Sequence, residues 1–376
     1  MATDPLVTLL ADLVAIPSQN PMGRDKTGAE YSEAAMAVYV AGYLKRHGVD
    51  VEQYEIAPGR PNVIGSIDAG AKETLILEAH MDTVHAEGMT IPPFVPEVRN
   101  GRLYGRGACD TKGSLAAFLH AVCGTGGPVR GRRYNVIFAA VADEEYQFGG
   151  AQRVVARGVR ADMAIVGEPT QLHIVRAHKG VVRWRIGTKG VTAHSAYPER
   201  GINAIYAMGH VLERLESYAS ALRETPPHDV LGTPTLSVGI IEGGQAVNVV
   251  PDRCMIEIDR RTLPGETTDS VLAHVRDALR GIDGWTFDPP HLAASGLDVA
   301  PDHPLVVNLS AAIRKETGSA AVEAAQYATD AGVYARAGIP AVVFGPGNIA
   351  QAHTKDEWID LGDLAKASRI IQTLIS

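Results

Sequence analysis

Apolar and polar positions follow two patterns along this chain, and the two are segregated. Short continuous apolar runs occur at Leu75-Ile76-Leu77, Val136 to Val141, Ala164-Ile165-Val166 and Ala341 to Phe344. A strand without a polar face must be covered on both sides, so these runs predict central strands of a parallel sheet between helices. Strict alternation occurs elsewhere: Val182, Trp184 and Ile186 with Arg183 and Arg185 between them, then Leu236, Val238 and Ile240, then Cys254, Ile256 and Ile258. Successive side chains point to opposite faces of a strand, so this second pattern predicts an antiparallel sheet with one wet face.

Helical spacing surrounds the continuous runs. Leu6, Leu9, Leu10 and Leu13 fall on one helix face, as do Leu115, Phe118, Leu119 and Val122, and again Leu364, Ala367, Ile371 and Leu374. Another helix is predicted by Ile205, Met208, Leu212 and Leu215, among the alternating strands. The sequence order of these signals gives an α/β fold. A mostly parallel sheet flanked by helices is formed by residues 1–177 and 291–376, with a smaller α+β domain at 178–290 inserted in it. No repeat, low-complexity tract or block of like charge interrupts the pattern.

The 376 residues suffice for two or three domains at roughly 150 residues each, without disulfide staples. Lys and Arg total 35 against 43 Asp and Glu, a net charge of −8, which excludes nucleic acid as a partner because phosphate binding needs a basic face. No run approaches the roughly 18 to 20 apolar residues of a membrane span. The start, Met1-Ala2-Thr3-Asp4-Pro5, has no basic leader signature, and Asp12 breaks the apolar run after it. Cys109, Cys123 and Cys254 form no Cys-x-x-Cys pair, which fits a reducing, cytoplasmic compartment.

Candidate chemistry lies just past the continuous strands. In Glu78-Ala79-His80-Met81-Asp82, His80 and Asp82 share one side of a strand, so the carboxylate could hold the ring while its other nitrogen binds a metal; taken alone, the pair reads first as a loop histidine with an incidental aspartate. Gly105-Arg106-Gly107-Ala108-Cys109-Asp110-Thr111-Lys112-Gly113-Ser114 resembles a phosphate loop but has Lys-Gly-Ser order, and its Gly-x-Gly-x-x-Gly fails at Asp110. Asp110 is then either a helix cap or a carboxylate in the crevice at the strand ends. Asp143-Glu144-Glu145 is either a solvated loop or a pair of Glu dividing the work of ligand and general base. Glu168 follows the third run, and His353 lies in the loop after the fourth. Two imidazoles and three carboxylates suit two divalent cations, each with one His and one Glu, with Asp110 bridging. Without a thiolate in the set, zinc comes first, with cobalt or manganese as substitutes. His-Glu-x-x-His and Gly-x-Ser-x-Gly are absent, which argues against single-zinc helix proteases and serine hydrolases of the α/β-hydrolase type.

At these residues the chain resembles the two-zinc metallopeptidase and amidohydrolase family that includes acetylornithine deacetylase, succinyl-diaminopimelate desuccinylase, aminoacylase and carboxypeptidase G. The motifs keep the family order over nearly the whole chain: His80-x-Asp82, Asp110, Glu144-Glu145, Glu168 and His353. The resemblance implies that His80 and Glu168 bind one metal and Glu145 and His353 the other, with Asp110 and a water bridging. Asp82 would orient His80, and Glu144 would be the general base. The inserted segment resembles the family's lid and dimerisation domain, which implies a homodimer. Gly190-Val191-Thr192-Ala193-His194-Ser195 would carry a histidine that reaches across the dimer to the oxyanion. Asn248 and Arg261 match lid residues that bind the substrate's carboxylate, with Arg260 as the alternative, and Gly347 belongs to a substrate-binding loop.

Arg176-Ala177-His178-Lys179-Gly180, Arg200-Gly201-Ile202-Asn203-Ala204-Ile205 and Gly345-Pro346-Gly347 with Gln351-Ala352-His353 look most like acetylornithine deacetylase. The implied reaction removes the acyl group from a small N-acyl-L-amino acid, as in arginine biosynthesis. Ala196-Tyr197-Pro198 departs toward the desuccinylase pattern. Dipeptidase or carboxypeptidase activity is a further alternative with the same site. A non-catalytic paralogue would lack a ligand or the base, and all are present.

Overall fold

A computed structural model describes residues 4–124 and 130–376 of the chain. Met1, Ala2 and Thr3, on which part of the leader expectation rests, lie outside the described residues. The chain forms two compact units. The first comprises Met1–Ala177, Asp298–Ala324 and Thr329–Ser376, and the second His178–Leu297 and Ala325–Ala328.

The first unit is built on one mixed sheet. Its centre holds four neighbouring parallel strands, in the order Asn135–Val141, Thr74–His80, Met163–Val166 and Ala341–Val343. These are the continuous apolar runs, and from Leu75 to His80 every residue is buried, as a strand covered on both faces requires. Toward one edge the sheet becomes antiparallel, through Arg60–Ile67 and the outermost Asp50–Ala57. Toward the other, Ile174–His178 is antiparallel to Ala341–Val343. The sheet is therefore parallel in the middle, with antiparallel flanks.

The predicted helices run over Pro5–Ala15, Lys112–Cys123 and Leu361–Ile375, and they pack together with Pro304–Thr317. In Lys112–Cys123 only His120 is not buried, because this helix is enclosed by its neighbours and by the Thr74–His80 strand. After the Thr74–His80 strand the chain crosses to Asn135–Val141 on one side, and it then returns to Met163–Val166 on the other. Crossovers that depart in opposite directions leave a crevice at the carboxyl ends of the strands, where sheets of this kind bind ligands.

The second unit is an antiparallel sheet in the order Thr235–Gly243, Arg253–Thr262, Gly180–Lys189, Trp285–Phe287, with Leu292–Ala294 also paired to Gly180–Lys189. Its inner face packs Trp184, Ile186, Ile256 and Ile258 against Met208, Val211 and Leu215 of the helix Ala204–Arg223 and against Val271 and Val275 of Thr268–Ala278. Two of the residues used to predict this unit face outward instead. The register shifts between Val238 and Ile240, so this bulge turns Ile240 to the wet side, where it is 47% exposed. Ile205 is 41% exposed in the helix's first turn, where Asn203 caps the Ile205 and Tyr206 amides. Among the described residues no helix is long and apolar enough to cross a membrane.

His178 is fully buried, with Nδ1 3.0 Å from the Lys179 carbonyl oxygen. Burial pushes its pKa down to about 4. The unfolded imidazole takes its proton near pH 6.5, so the folded state gains stability from a neutral His178 above that pH and loses it as pH falls toward 4. His178→Gln is expected to flatten the acid side of the stability profile, with a differential effect of about 2 to 3 kcal/mol between pH 7.5 and 4.5. Urea unfolding of both proteins at the two pH values checks this, and parallel acid slopes would refute it.

Candidate active site

Four neighbouring strands end at one edge of the first unit's sheet, and each delivers part of one cluster. His80 is the last residue of its strand, Glu144 and Glu145 follow Val141, Glu168 follows Val166, and His353 lies in the loop after Val343. Asp110 comes from the turn before the Lys112–Cys123 helix and is not its cap, since Thr111 holds that position. Asp110 Oδ1 is 3.2 Å from His80 Nε2, and its Oδ2 is 3.2 Å from His353 Nε2. Glu168 Oε1 lies 3.7 Å from His80 Nε2, and Glu145 Oε2 lies 3.1 Å from His353 Nε2. Two three-residue groups result, His80–Asp110–Glu168 and Asp110–Glu145–His353, each with its ligand atoms within 4.8 Å of one another.

Glu144 belongs to neither group. Its Oε2 stands 3.9 Å from His80 Nε2, and its side chain is 11% exposed. The Asp143-Glu144-Glu145 segment is therefore enclosed, which excludes a solvated loop. Asp82 does most to hold it there: the amides of Glu144 and Glu145 donate to Asp82 Oδ1 and Oδ2 at 3.2 and 3.1 Å. The His80 ring rests on Asp82 in a different way from the sequence expectation. Nδ1 is 2.9 Å from the main-chain oxygen of Asp82 and 3.6 Å from its carboxylate. The carboxylate is occupied by the two Glu amides and by Asn20 Nδ2 at 2.7 Å, so the carbonyl is the ring's nearer acceptor.

Asn20 also donates to Asp143 Oδ1 at 3.1 Å, and Arg60 Nη1 reaches the same oxygen at 2.7 Å. Arg60 Nε is 3.0 Å from Glu33 Oε2, and Glu33 is fully buried. Asn20, Glu33 and Arg60 thus support the loop that carries Glu144 and Glu145. Nothing in the local sequence marks them, because each acts on a segment distant in the chain.

Electrostatics shows what the cluster lacks. Burial, reinforced by neighbouring carboxylates, pushes the Glu144 and Glu168 carboxyls well above their ordinary range, and burial also raises Glu145. Burial opposes charge on Asp110, but the His353 and His80 imidazoles outweigh it and hold that carboxyl low. Hydrogen bonding to Asp110 and Glu145 lifts His353 to about 11. Burial acts against a charged His80, yet Asp110 and the surrounding carboxylates still raise it well above an ordinary imidazole. Carboxylates this close either take up protons or gain compensating positive charge. The oxygen and imidazole donors, in two groups that share Asp110, fit a pair of divalent cations.

The remaining sequence candidates divide between the units. Gly347, in the first unit, has φ +84°, and a Cβ there would meet Cys109 Sγ at 2.7 Å, so only glycine fits this turn. In the second unit His194 is exposed, and its Nδ1 accepts a hydrogen bond from the Ala196 amide at 3.1 Å. In the neutral ring the proton then sits on Nε2. Asn248 is exposed, and its main-chain oxygen accepts from the Ser195 amide at 3.1 Å. Arg261 Nε lies 2.8 Å from Asp259 Oδ1 with the side chain 28% exposed, whereas Arg260 is fully buried and donates to Glu266 Oε1 at 2.7 Å.

Residues 76–376 match the family model "Peptidase family M20/M25/M40". The acetylornithine deacetylase of Photorhabdus laumondii subsp. laumondii is 33% identical over 383 residues, covering 99% of this chain and 96% of that protein. Among solved structures, the M20 family metallo-carboxypeptidase Sso-CP2 from Sulfolobus solfataricus has a TM-score of 0.80 at 20% identity, with 99% of each chain covered. The Bacillus subtilis protein YXEP, a dinuclear metal binding peptidase of the M20 family, has a TM-score of 0.72 at 20% identity, covering 98% of this chain and 96% of that one. The chain belongs to peptidase family M20/M25/M40 and is a metal-dependent hydrolase of amide bonds.

Proposed function

We propose that the protein hydrolyses the amide bond of an N-acyl-L-amino acid, as acetylornithine deacetylase does, with two divalent cations, zinc first and cobalt or manganese as substitutes. The observation that carries this reading is Asp110, which offers one oxygen to each of two imidazoles 3.2 Å away, each completed by a separate glutamate. His80, Asp110 and Glu168 would hold one cation, and Asp110, Glu145 and His353 the other. The pair, when bound, supplies a polarised scissile carbonyl and a water that ionises near neutral pH.

The chain's own groups do the rest. Glu144 takes the proton of the attacking water and passes it to the nitrogen of the leaving amine, so that amide and water become a carboxylate and a free amino acid. Asp82 sets Glu144 through its amide and seats His80 through the main-chain oxygen. His194, whose neutral ring would carry its proton on Nε2, would stabilise the oxyanion from a partner copy. Asn248, Arg261 and the Gly347 turn are assigned to the substrate, with Arg261 suited to its carboxylate.

A second copy is argued from the second unit itself. Thr235–Gly243 is an edge strand that leaves Ile240 and Ile241 47% and 54% exposed, and the nearby chain exposes Tyr206 at 74% and Val247 fully. An unpaired edge beside exposed apolar side chains is a surface that proteins cover, and we assign the cover to a homodimer partner. Three free, buried cysteines fit a reducing cytoplasm. Arginine biosynthesis is the corresponding role.

Release of primary amine from N-acetyl-L-ornithine, N-succinyl-diaminopimelate, N-acetyl-methionine and a dipeptide tests the substrate. The expected result is turnover led by acetylornithine, abolished by chelator and restored by zinc or cobalt. Fastest turnover of the succinyl compound or the dipeptide would move the assignment to a desuccinylase or a peptidase. Glu144→Gln is expected to lower kcat by about 100- to 10,000-fold while the protein keeps its metal. Undiminished turnover by that variant would remove Glu144 from the base role.

A further inference from the structure

The glycine-rich turn before the Lys112–Cys123 helix presents a row of main-chain amides, as an anion-binding turn does. The anion it receives is internal. Glu357 Oε1 accepts from the amides of Cys109 and Asp110, both at 2.9 Å, while Oε2 accepts from the Gly107 amide at 3.0 Å and from Arg106 Nη1 at 2.7 Å. Both oxygens are thereby engaged twice, which fills the accepting capacity of one carboxylate. Glu357 is fully buried and Arg106 is 3% exposed. The Glu357 carbonyl also accepts from the Gly105 amide at 3.0 Å, and the Trp358–Asp360 strand that follows pairs antiparallel with Arg102–Tyr104. One short segment, 353–360, therefore supplies His353 at its start and clamps the turn that carries Asp110.

We propose that Glu357 is the positioning residue that fixes Asp110 between the two halves of the centre, a role that rests on the dinuclear reading above. An isolated ion pair with Arg106 would need only the guanidinium. Here three amides converge on the same carboxylate, and the last belongs to Asp110 itself. The turn has little freedom to adjust on its own: Gly107 is at φ +82°, and a Cβ there would meet Thr83 Cγ2 at 2.8 Å and Lys112 Cδ at 2.9 Å. Glutamine cannot replace the carboxylate, because its amide nitrogen would turn donors toward donors. Asp110 would then lose its fixed distance to His80 and His353, and sharing between two cations is the property most sensitive to that loss.

Purified full-length wild type, Glu357→Gln and Leu309→Ala are stripped of metal and titrated with Co²⁺ by calorimetry, with metal content and the visible cobalt spectrum recorded. Leu309 is a buried core residue of the Pro304–Thr317 helix and serves as a control for lost stability alone. Two equivalents are expected for wild type and Leu309→Ala. In Glu357→Gln the second equivalent is expected to bind about 10- to 100-fold more weakly, with an altered spectrum, and kcat falls more than KM rises. Should Glu357→Gln fail to fold, the double variant Arg106→Met/Glu357→Gln removes both buried charges together and is expected to show the same weakened second site. Wild-type affinity for two Co²⁺ in the variant that folds overturns the proposal, as does an equal loss of the second equivalent in Leu309→Ala. A wild-type chain that binds fewer than two equivalents removes the dinuclear reading itself, and the proposal with it.

Discussion

The first unit is organised around the cost of enclosing several carboxylates at one end of a sheet. A carboxylate removed from water must find hydrogen-bond donors or positive charge, or else take up a proton. All three solutions occur around this site. Asp82 takes main-chain amides from Glu144 and Glu145 and the Asn20 amide. Glu33 and Asp143 share the Arg60 guanidinium. Burial raises Glu78, two residues before His80, to about 8, and it also raises Asp330 well above the usual carboxylate range, which favours the protonated form of each. Among the described residues Asp110, Glu144, Glu145 and Glu168 gather around two imidazoles, and the two donor groups that Asp110 joins are where divalent cations fit.

On the proposed reading, this division separates carboxylates that build the site from those that work in it. Glu357 and Asp82 are both acceptors for consecutive or nearly consecutive amides, and each fixes a turn that carries a working carboxylate. The arrangement converts side-chain charge into backbone geometry, which is stiffer than a rotamer. It also explains why the working groups sit in turns after strands: a turn exposes amides, whereas a strand has already committed them to its neighbours.

The parts of the fold legible in the sequence were those in which burial leaves a local pattern. The run at Leu75 marks the Thr74–His80 strand because both faces are covered, and Leu6, Leu9, Leu10 and Leu13 mark a helix because one face is. The hairpin Asp50–Ala57 with Arg60–Ile67 left no such mark on its outer strand, where no residue is buried. Ile240 fits a perfect alternation, yet a bulge that no pattern of apolar residues announces reverses its side. The residues gathered at the sheet edge are legible for another reason: each is a metal-ligating or acid–base side chain that follows a predicted buried strand or, for Asp110, opens a predicted helix. Glu357, Arg60, Glu33 and Asn20 were not, because their partners lie far away in sequence. The one available signal for Glu357 is its place four residues beyond His353 in the same loop.

A glycine-rich turn ahead of a helix is usually read as a cradle for a bound phosphate. In this chain the Gly105–Asp110 turn keeps the amide geometry of such a cradle and fills it with its own glutamate. The substitution has a consequence for what the turn can do. An exchangeable anion would leave the turn free to relax between ligands, whereas a covalently tethered one, buried and paired with Arg106, holds it at all times. On the proposed dinuclear reading, a centre that presents one aspartate to two cations gains from a turn that is already set before they bind, since the cations then meet ligands that need not be reordered.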